Sequence, residues 1–357
     1  MGEKILMDNS IKIAALIAVK FGYEVYLKLK DKIRFNFIIG LAEPVSLDSV
    51  SGYVNIKKLI ENDNIDCYLA SKYSLNDKID IENIIKRDID VLLVLGWQRL
   101  VPDWLLDHVK IATIGVHGSP FGITKGRGRS PQNWALIMGE TCFSLALFKI
   151  DKGIDSGDIL MERKFNYTLF DDIETSYLKC SILVSDMIID LFENMPKVLE
   201  NARPQVGEPE YFPARKPEDG GIDWNLRVRE VYNIVRALKK PYPGAFTYYD
   251  NVKIKIWDAI PFDLEPKDLF TLCNGEIYET FASKMFLVKC SDGLVLIKEW
   301  EADSPWEPKK RQVLKSIPIV NTLDNIFQRH KCRHPNMKIN RNLLELYNNF
   351  VSRAEKN

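Results

Sequence analysis

"IDVLLVLGW", residues 89–97, carries one charge, Asp90, and otherwise no polar side chain. Its apolar run does not alternate, so both faces are expected to be covered, as in the central strand of a parallel sheet. Working outward, "RFNFIIGL" (34–41), "IDCYLA" (65–70), "ATIGVH" (112–117) and "SLALFKI" (144–150) read as further strands. "VNIKKLIEND" (54–63) and "IDIENIIKRD" (79–88) read as helices between them. That alternation predicts an α/β unit, a Rossmann-like parallel sheet with crossover helices. "KILM" (4–7) is the expected first strand. Residues 11–30 carry apolar residues at helical spacing, with a buried strand at "IKIAALIAV" as the competing reading. An amphipathic stretch over 171–200 is expected to close the unit as a helix.

"NARPQVGEPEYFPARKPEDGG" (201–221) is dense in Pro and Gly and reads as a linker. After it come a helix over 228–239 and the short β-type runs "AFTYYD", "KIKIWDAI", "GEIYETFA", "MFLVKC" and "GLVLIKEWE". They predict a smaller, mostly β, OB-like barrel or antiparallel sheet. The remainder is basic, then polar and helical. The expected organisation is a catalytic domain over 1–203, a C-terminal β-rich domain over 204–305 and a basic, helical tail over 306–357.

The 357 residues are 46% hydrophobic and 27% charged, enough for a core and for two domains. Lys+Arg and Asp+Glu each number 49. The neutral balance argues against a bulk polyanion partner, which prefers a basic face. Six scattered cysteines, without a CxxC, fit neither zinc nor a disulfide framework and read as free thiols in a reducing compartment. No apolar run reaches transmembrane length and no leader-like segment opens the chain, so a cytoplasmic protein with no membrane partner is expected.

Ligands of open parallel sheets sit at the carboxyl ends of the strands. Residues 96–100, His117 and the 151–155 segment all fall at such ends. His117 lies in "GVHGSPFGITKGRGRSPQNWALIMGE" (115–140), between glycine-rich turns and ahead of a helix. Asp155 lies in "IDKGIDSGDIL" (150–160), where glycines alternate with aspartates; a solvated turn is the plain alternative there. A carboxylate beside an imidazole orients the ring and favours its protonated form. Such a pair can take a proton from an attacking amine and stabilise an oxyanion. Such a pair suits acyl transfer to an amine, with no nucleophilic side chain required. A Ser–His–Asp hydrolase is disfavoured because no GxSxG elbow occurs.

These two segments resemble the catalytic segment of the 10-formyltetrahydrofolate-dependent formyltransferases, which include methionyl-tRNA and nucleotide-sugar N-formyltransferases. "YFPARKPEDGGIDW" (211–224) and "IVRALKKPYPGAFTYY" (234–249) resemble the start of the C-terminal domain in those branches. The resemblance covers roughly residues 4 to 300 and is absent from the tail. It implies that His117 stabilises the oxyanion and that Asp155 orients His117 and handles the amine proton. It places the folate of 10-formyltetrahydrofolate against 95–102 and the 150–155 loop, with Gly96, Trp97, Arg99, Leu100, Ile150, Asp151 and Ile154 as contacts. Two positions depart from the family pattern: Gly115 stands where Asn is usual, and Ala146 where Thr is frequent. Ser119 and Asn133 are nearby candidates for the missing donor.

Lys125, Arg127 and Arg129, interleaved with glycine, suit a phosphate-bearing acceptor. A solvated basic turn competes for the same pattern. Arg215 resembles the Arg-x-Pro-x-Asp of the sugar branch, which implies that Tyr211, Arg215 and Arg236 contact a nucleotide diphosphate. Ser119 completes the expected acceptor set. The favoured acceptor is a nucleotide-linked amino sugar. Methionyl-tRNA is the alternative, with the basic stretch "KKRQVLK" (309–315) in its favour. A folate- or nucleotide-sugar-binding protein with weak turnover, motivated by Gly115, is the reading from another class. A homodimer is compatible with each.

Overall fold

The computed structural model describes residues 11–43, 50–264, 266 and 269–355; the strand expected at 4–7 lies outside the described residues. In chain order the first elements are β1 (Ile13–Leu16), α1 (Lys20–Leu29), β2 (Phe35–Leu41), α2 (Ile56–Leu59), β3 (Asp66–Ala70) and α3 (Lys78–Ile84). Next come β4 (Val91–Val94), α4 (Asp103–His108), β5 (Ala112–Ser119), β6 (Arg127–Gly128), α5 (Pro131–Met138), β7 (Cys142–Lys149) and β8 (Ile159–Asn166). They are followed by α6 (Ile173–Glu193), α7 (Met195–Glu200), β9 (Tyr211–Phe212), α8 (Val228–Ala237), β10 (Ala245–Tyr249) and β11 (Val252–Phe262). The chain closes with β12 (Ile277–Thr280), β13 (Phe286–Cys290), β14 (Gly293–Ala302), α9 (Ile319–Arg333) and α10 (Arg341–Ala354).

Two compact units form. The first takes residues 1–127, 142–166 and 177–208; the second takes 128–141, 167–176 and 209–357. The first unit holds a seven-stranded sheet in the order β3-β2-β1-β4-β5-β7-β8. β4 is the middle strand, and all four of its residues are buried. The pairs from β3 across to β5 are parallel, whereas β5–β7 and β7–β8 are antiparallel. The order reverses between β1 and β4, which opens a crevice at their carboxyl ends.

The stretch 11–30 divides into β1 and α1, so the competing strand reading holds for its first half. The four residues of β1 are all buried and carry no period that separates strand from helix. β8 was not anticipated. It is the edge strand, and its exposed positions carry Glu162, Lys164 and Asn166. Such charges keep an edge from pairing with other chains and also dilute the hydrophobic signal.

The second unit is built on a five-stranded antiparallel sheet, β10-β11-β14-β13-β12. α8 packs on this sheet through β11 and β14, and α5 packs on α8. Ser130 at φ +58°, Pro131 in the first turn and Gly139 in the left-handed region delimit α5. Asn133 Nδ2 donates to Ala237 O at 2.7 Å, and Trp134 Nε1 donates to Pro213 O at 2.9 Å. The tail is helical, as expected: α9 and α10 pack against each other. Ion pairs tie it to this unit, from Arg329 to Asp219 (2.5 Å), Arg341 to Glu210 (3.7 Å) and Arg353 to Glu230 (2.7 Å).

Candidate active site

His117 sits near the end of β5, opposite Ala146 of β7. Its ring is 8% exposed. Nε2 lies 2.7 Å from Gly126 O. A carbonyl only accepts, so Nε2 carries a hydrogen and donates it. Gly126 must be a glycine for this approach, since a Cβ there would lie 1.7 Å from Ser119 Oγ. The other ring nitrogen, Nδ1, lies 3.5 Å from Asp155 Oδ2. That is ion-pair distance, and longer than a formed N–H···O bond. Nδ1 and the carboxylate are therefore the edge available for chemistry, because Nε2 is already committed.

Asp155 reaches this position from the loop after β7. Asp151 Oδ1 accepts from Gly153 N (3.0 Å) and Ser156 Oγ (2.6 Å), which winds the loop into an Asx-type turn. Asp155 itself holds φ +48°, a left-handed conformation that costs a non-glycine residue on the order of 1 kcal/mol. Ile150 N donates to Thr113 O, pinning the start of the loop to β5.

Position 115 lies on the same face of β5 as His117, two residues earlier. A Cβ built on Gly115 would meet Ile150 Cδ1 at 2.8 Å and Phe148 Cε1 at 2.9 Å. The space of the usual Asn is thus filled by apolar side chains. Beside it, Ile123, Ala146, Phe148 and Ile159 form a small apolar cluster. Ser119 is fully buried and its Oγ accepts from Phe121 N, while Asn133 gives its amide hydrogen to Ala237 O in the second unit.

The other sequence candidates of the first unit cluster at the carboxyl ends of the strands. Gly96 follows β4 at φ +78°. Trp97 is buried, its ring edge-on to Tyr73 at 4.8 Å, and its Nε1 has no hydrogen-bond partner. Arg99 lies over the Tyr73 ring at 5.3 Å, and Leu100 is 60% exposed. Ile150 and Ile154 are half-buried, whereas Asp151 shapes its own turn. In the basic loop, Lys125 Nζ donates to Glu208 O and Arg127 to Gln205 Oε1; Arg129 is the exposed cation.

Three expected acceptor contacts belong to the second unit and serve its packing. Tyr211 is buried and exchanges backbone hydrogen bonds with Lys338 and Asn340 of the tail. Arg215 lies over the Trp134 ring at 4.8 Å and donates to Asp219 O. Burial pushes its guanidinium down to about 10. Arg236 donates to Thr168 O (3.0 Å) and Asp171 O (2.9 Å). Spacing alone gives no sign of these backbone acceptors, which lie far away in the chain.

Two family models match the chain. "Formyl transferase" covers residues 54–188, and "Formyl transferase, C-terminal domain" covers residues 215–313. A methionyl-tRNA formyltransferase of Ruminiclostridium cellulolyticum is 30% identical over 67% of this chain and 75% of its own length. One of Thermodesulfovibrio yellowstonii is 32% identical over 50% of this chain, which spans only 59% of that relative. Among solved structures, HypX from Aquifex aeolicus in complex with tetrahydrofolic acid shares the fold. Its TM-score is 0.58 at 17% identity, over 92% of this chain and 48% of HypX. The model matches, joined to a two-part α/β and antiparallel-β architecture, mean that this chain belongs to the formyltransferase family.

Proposed function

We propose that this chain transfers the formyl group of 10-formyltetrahydrofolate to a primary amine, with a nucleotide-linked amino sugar as acceptor. The observation that carries the reading is the buried His117 ring held between Gly126 O and the Asp155 carboxylate. The acceptor nitrogen bonds to the formyl carbon and loses a proton; the bond from that carbon to N10 breaks, and N10 takes a proton. The products are the N-formyl amine and tetrahydrofolate. Asp155 and Nδ1 of His117 bracket the site where the amine proton is received and returned. A protonated His117 offers Nδ1–H to the negative charge that develops on the formyl oxygen. No side-chain amide at position 115 assists it, so this ring carries the task that the family usually shares with Asn.

The residues present suit a flat heterocyclic donor. Trp97 Nε1–H is buried without an acceptor, and Leu100 is an exposed apolar side chain beyond the carboxyl end of β4. Trp97, Leu100 and Ile150 would hold the ring system, with backbone groups of 95–102 and 150–155 reading its edges.

For the acceptor, the even count of 49 cationic and 49 anionic residues fits a small ligand of few phosphates. Arg129 is the exposed cation of the glycine-rich loop and the residue best placed in sequence for a phosphate. Arg215 and Arg236 support the packing of their unit and carry less of this reading than their sequence motif suggested. A second acceptor, methionyl-tRNA, is favoured by the names of the two bacterial relatives.

The test offers 10-formyltetrahydrofolate with a panel of dTDP-, UDP- and GDP-amino sugars beside charged initiator tRNA, read by mass spectrometry. The expected result is one sugar nucleotide gaining the mass of CO. Gain on the aminoacyl-tRNA alone would replace the sugar by tRNA, and gain on no amine would remove the transferase reading.

A further inference from the structure

The loop that carries Asp155 and the loop that anchors His117 are joined by one neutral side chain, Gln205. Its Nε2 donates to Asp155 O at 2.7 Å and to Gly157 O at 2.9 Å. Its Oε1 accepts from Arg127 Nη2 at 2.8 Å, from Arg127 Nε at 3.2 Å and from Thr124 Oγ1 at 3.2 Å. The amide orientation follows from its partners: two carbonyls can only accept and a guanidinium can only donate. Both amide hydrogens are used, and the oxygen is saturated.

The two sides of this bridge are the two sides of the catalytic pair. Thr124 and Arg127 flank Gly126, whose carbonyl receives the His117 Nε2 hydrogen. On the other side the bridge grips the peptide oxygen of Asp155, a residue held at φ +48°. The segment bearing Gln205 is itself fixed. Arg203 exchanges two backbone hydrogen bonds with Ile159 at the start of β8 (2.9 and 2.8 Å), and Glu208 O accepts from Lys125 Nζ. Gln205 is therefore tied to the sheet edge and bears on both loops at once. A left-handed aspartate persists only where its surroundings over-determine it, and this amide is the part of those surroundings that also reaches the histidine's anchor.

We infer that Gln205 is a positioning residue that sets the separation of His117 and Asp155, and through it the rate of the transfer step. It touches neither reacting group, and its neutrality is part of its role. A carboxylate here would keep the Arg127 and Thr124 bonds and lose those to Asp155 O and Gly157 O. The inference rests on the formyl-transfer reading for its effect on rate, but not for its effect on the geometry of His117.

The test uses the full chain with Gln205→Glu and Gln205→Ala, beside Asp155→Asn as reference. Gln205→Glu is expected to lower kcat by about 10- to 100-fold, the loss that follows a displacement of about 1 Å at a reacting group. KM for donor and acceptor should stay within about twofold, since no binding contact is removed. The nitrogen and proton resonances of the His117 ring, followed by NMR in the protein without substrate, should move in Gln205→Glu and in Asp155→Asn alike. A merely structural side chain would leave that ring unmoved. If Gln205→Ala does not fold, Gln205→Glu still decides, because it keeps the Arg127 and Thr124 bonds. A folded Gln205→Glu with unmoved His117 resonances, or with normal kcat in an active enzyme, overturns the inference. Absence of formyl transfer in the unaltered protein would fail the functional reading alone, and the resonances would still judge Gln205.

Discussion

At the scale of single residues, the His117 ring is held asymmetrically. One nitrogen is spent on a carbonyl and the other is left facing a carboxylate, so the ring cannot turn over without breaking its bond to Gly126 O. His117→Ala and Asp155→Asn are each expected to lower kcat by about 10² to 10⁴, the range for a positioned acid–base group, in a chain that still folds. Near-normal turnover in either variant would remove that residue from the chemistry. Restoring the family residue by Gly115→Asn should not raise activity. It should destabilise the fold by about 1–3 kcal/mol through overpacking against Ile150 and Phe148, and Ile150→Ala in the same chain should recover much of that loss in a denaturant titration. His117 and Asp155 were legible because glycines punctuate their segments and few residue types can do their chemistry. Gln205 was not. Its meaning lies in two loops 50 and 78 residues upstream, and a glutamine in a Pro- and Gly-rich stretch looks like surface.

At the scale of elements, the strands that were read correctly are those whose burial gives a plain pattern. β4, with both faces covered, and β10 to β14, short runs between turn residues, are of this kind. β1 stayed divided between helix and strand because a fully buried run has no period, and β8 escaped because an edge strand spends its exposed face on charge. Leu93→Ala in β4 should cost about 2–5 kcal/mol, measured as the shift in chemical unfolding, since its side chain is fully buried in the middle strand. α9 carries a second, milder dependence. His330 is buried and Nε2 faces Met337 O at 3.1 Å; burial, reinforced by the nearby His334, holds its pKa below the ordinary histidine value despite that bond. A lowered folded value means that the unfolded chain binds the proton more readily. The stabilisation is complete above about pH 6.5 and is lost as pH falls through the folded value. The protection of α9 amides, taken relative to the intrinsic exchange rate at each pH, should therefore fall between about pH 7 and pH 5, and His330→Gln should flatten that response.

At the scale of the molecule, the C-terminal helices are structural parts of the second unit. Glu210, Asp219 and Asp223 are buried, and each accepts a hydrogen bond from residues 319–341, from Arg341 N, Arg329 and Ile319 N respectively, while Lys216 N also serves Asp219 and Asn225 also serves Asp223. The C-terminal family model ends at residue 313, short of Ile319, Arg329 and Arg341. A chain cut after residue 313 would lose the cationic partners of Glu210 and Asp219, at on the order of 3 kcal/mol for a buried charge that loses its partner. It should be recovered as aggregate or bind ANS strongly, whereas the full chain should not. Salt dependence tests the acceptor at this same scale. Binding of a sugar nucleotide should weaken little with added salt, and a steep slope would mark many phosphates, as on tRNA.

The interleaving of the two units also bears on how the chain is made. α5 belongs to the second unit, yet the amide that anchors Asn133 to α8 waits for Ala237, about a hundred residues further along. During translation the N-terminal sheet emerges with α5 attached and with Trp134 lacking both Pro213 O and the Arg215 guanidinium. A ribosome stalled before residue 237 would thus hold the greasy helix α5 without α8, a natural target for holdase chaperones.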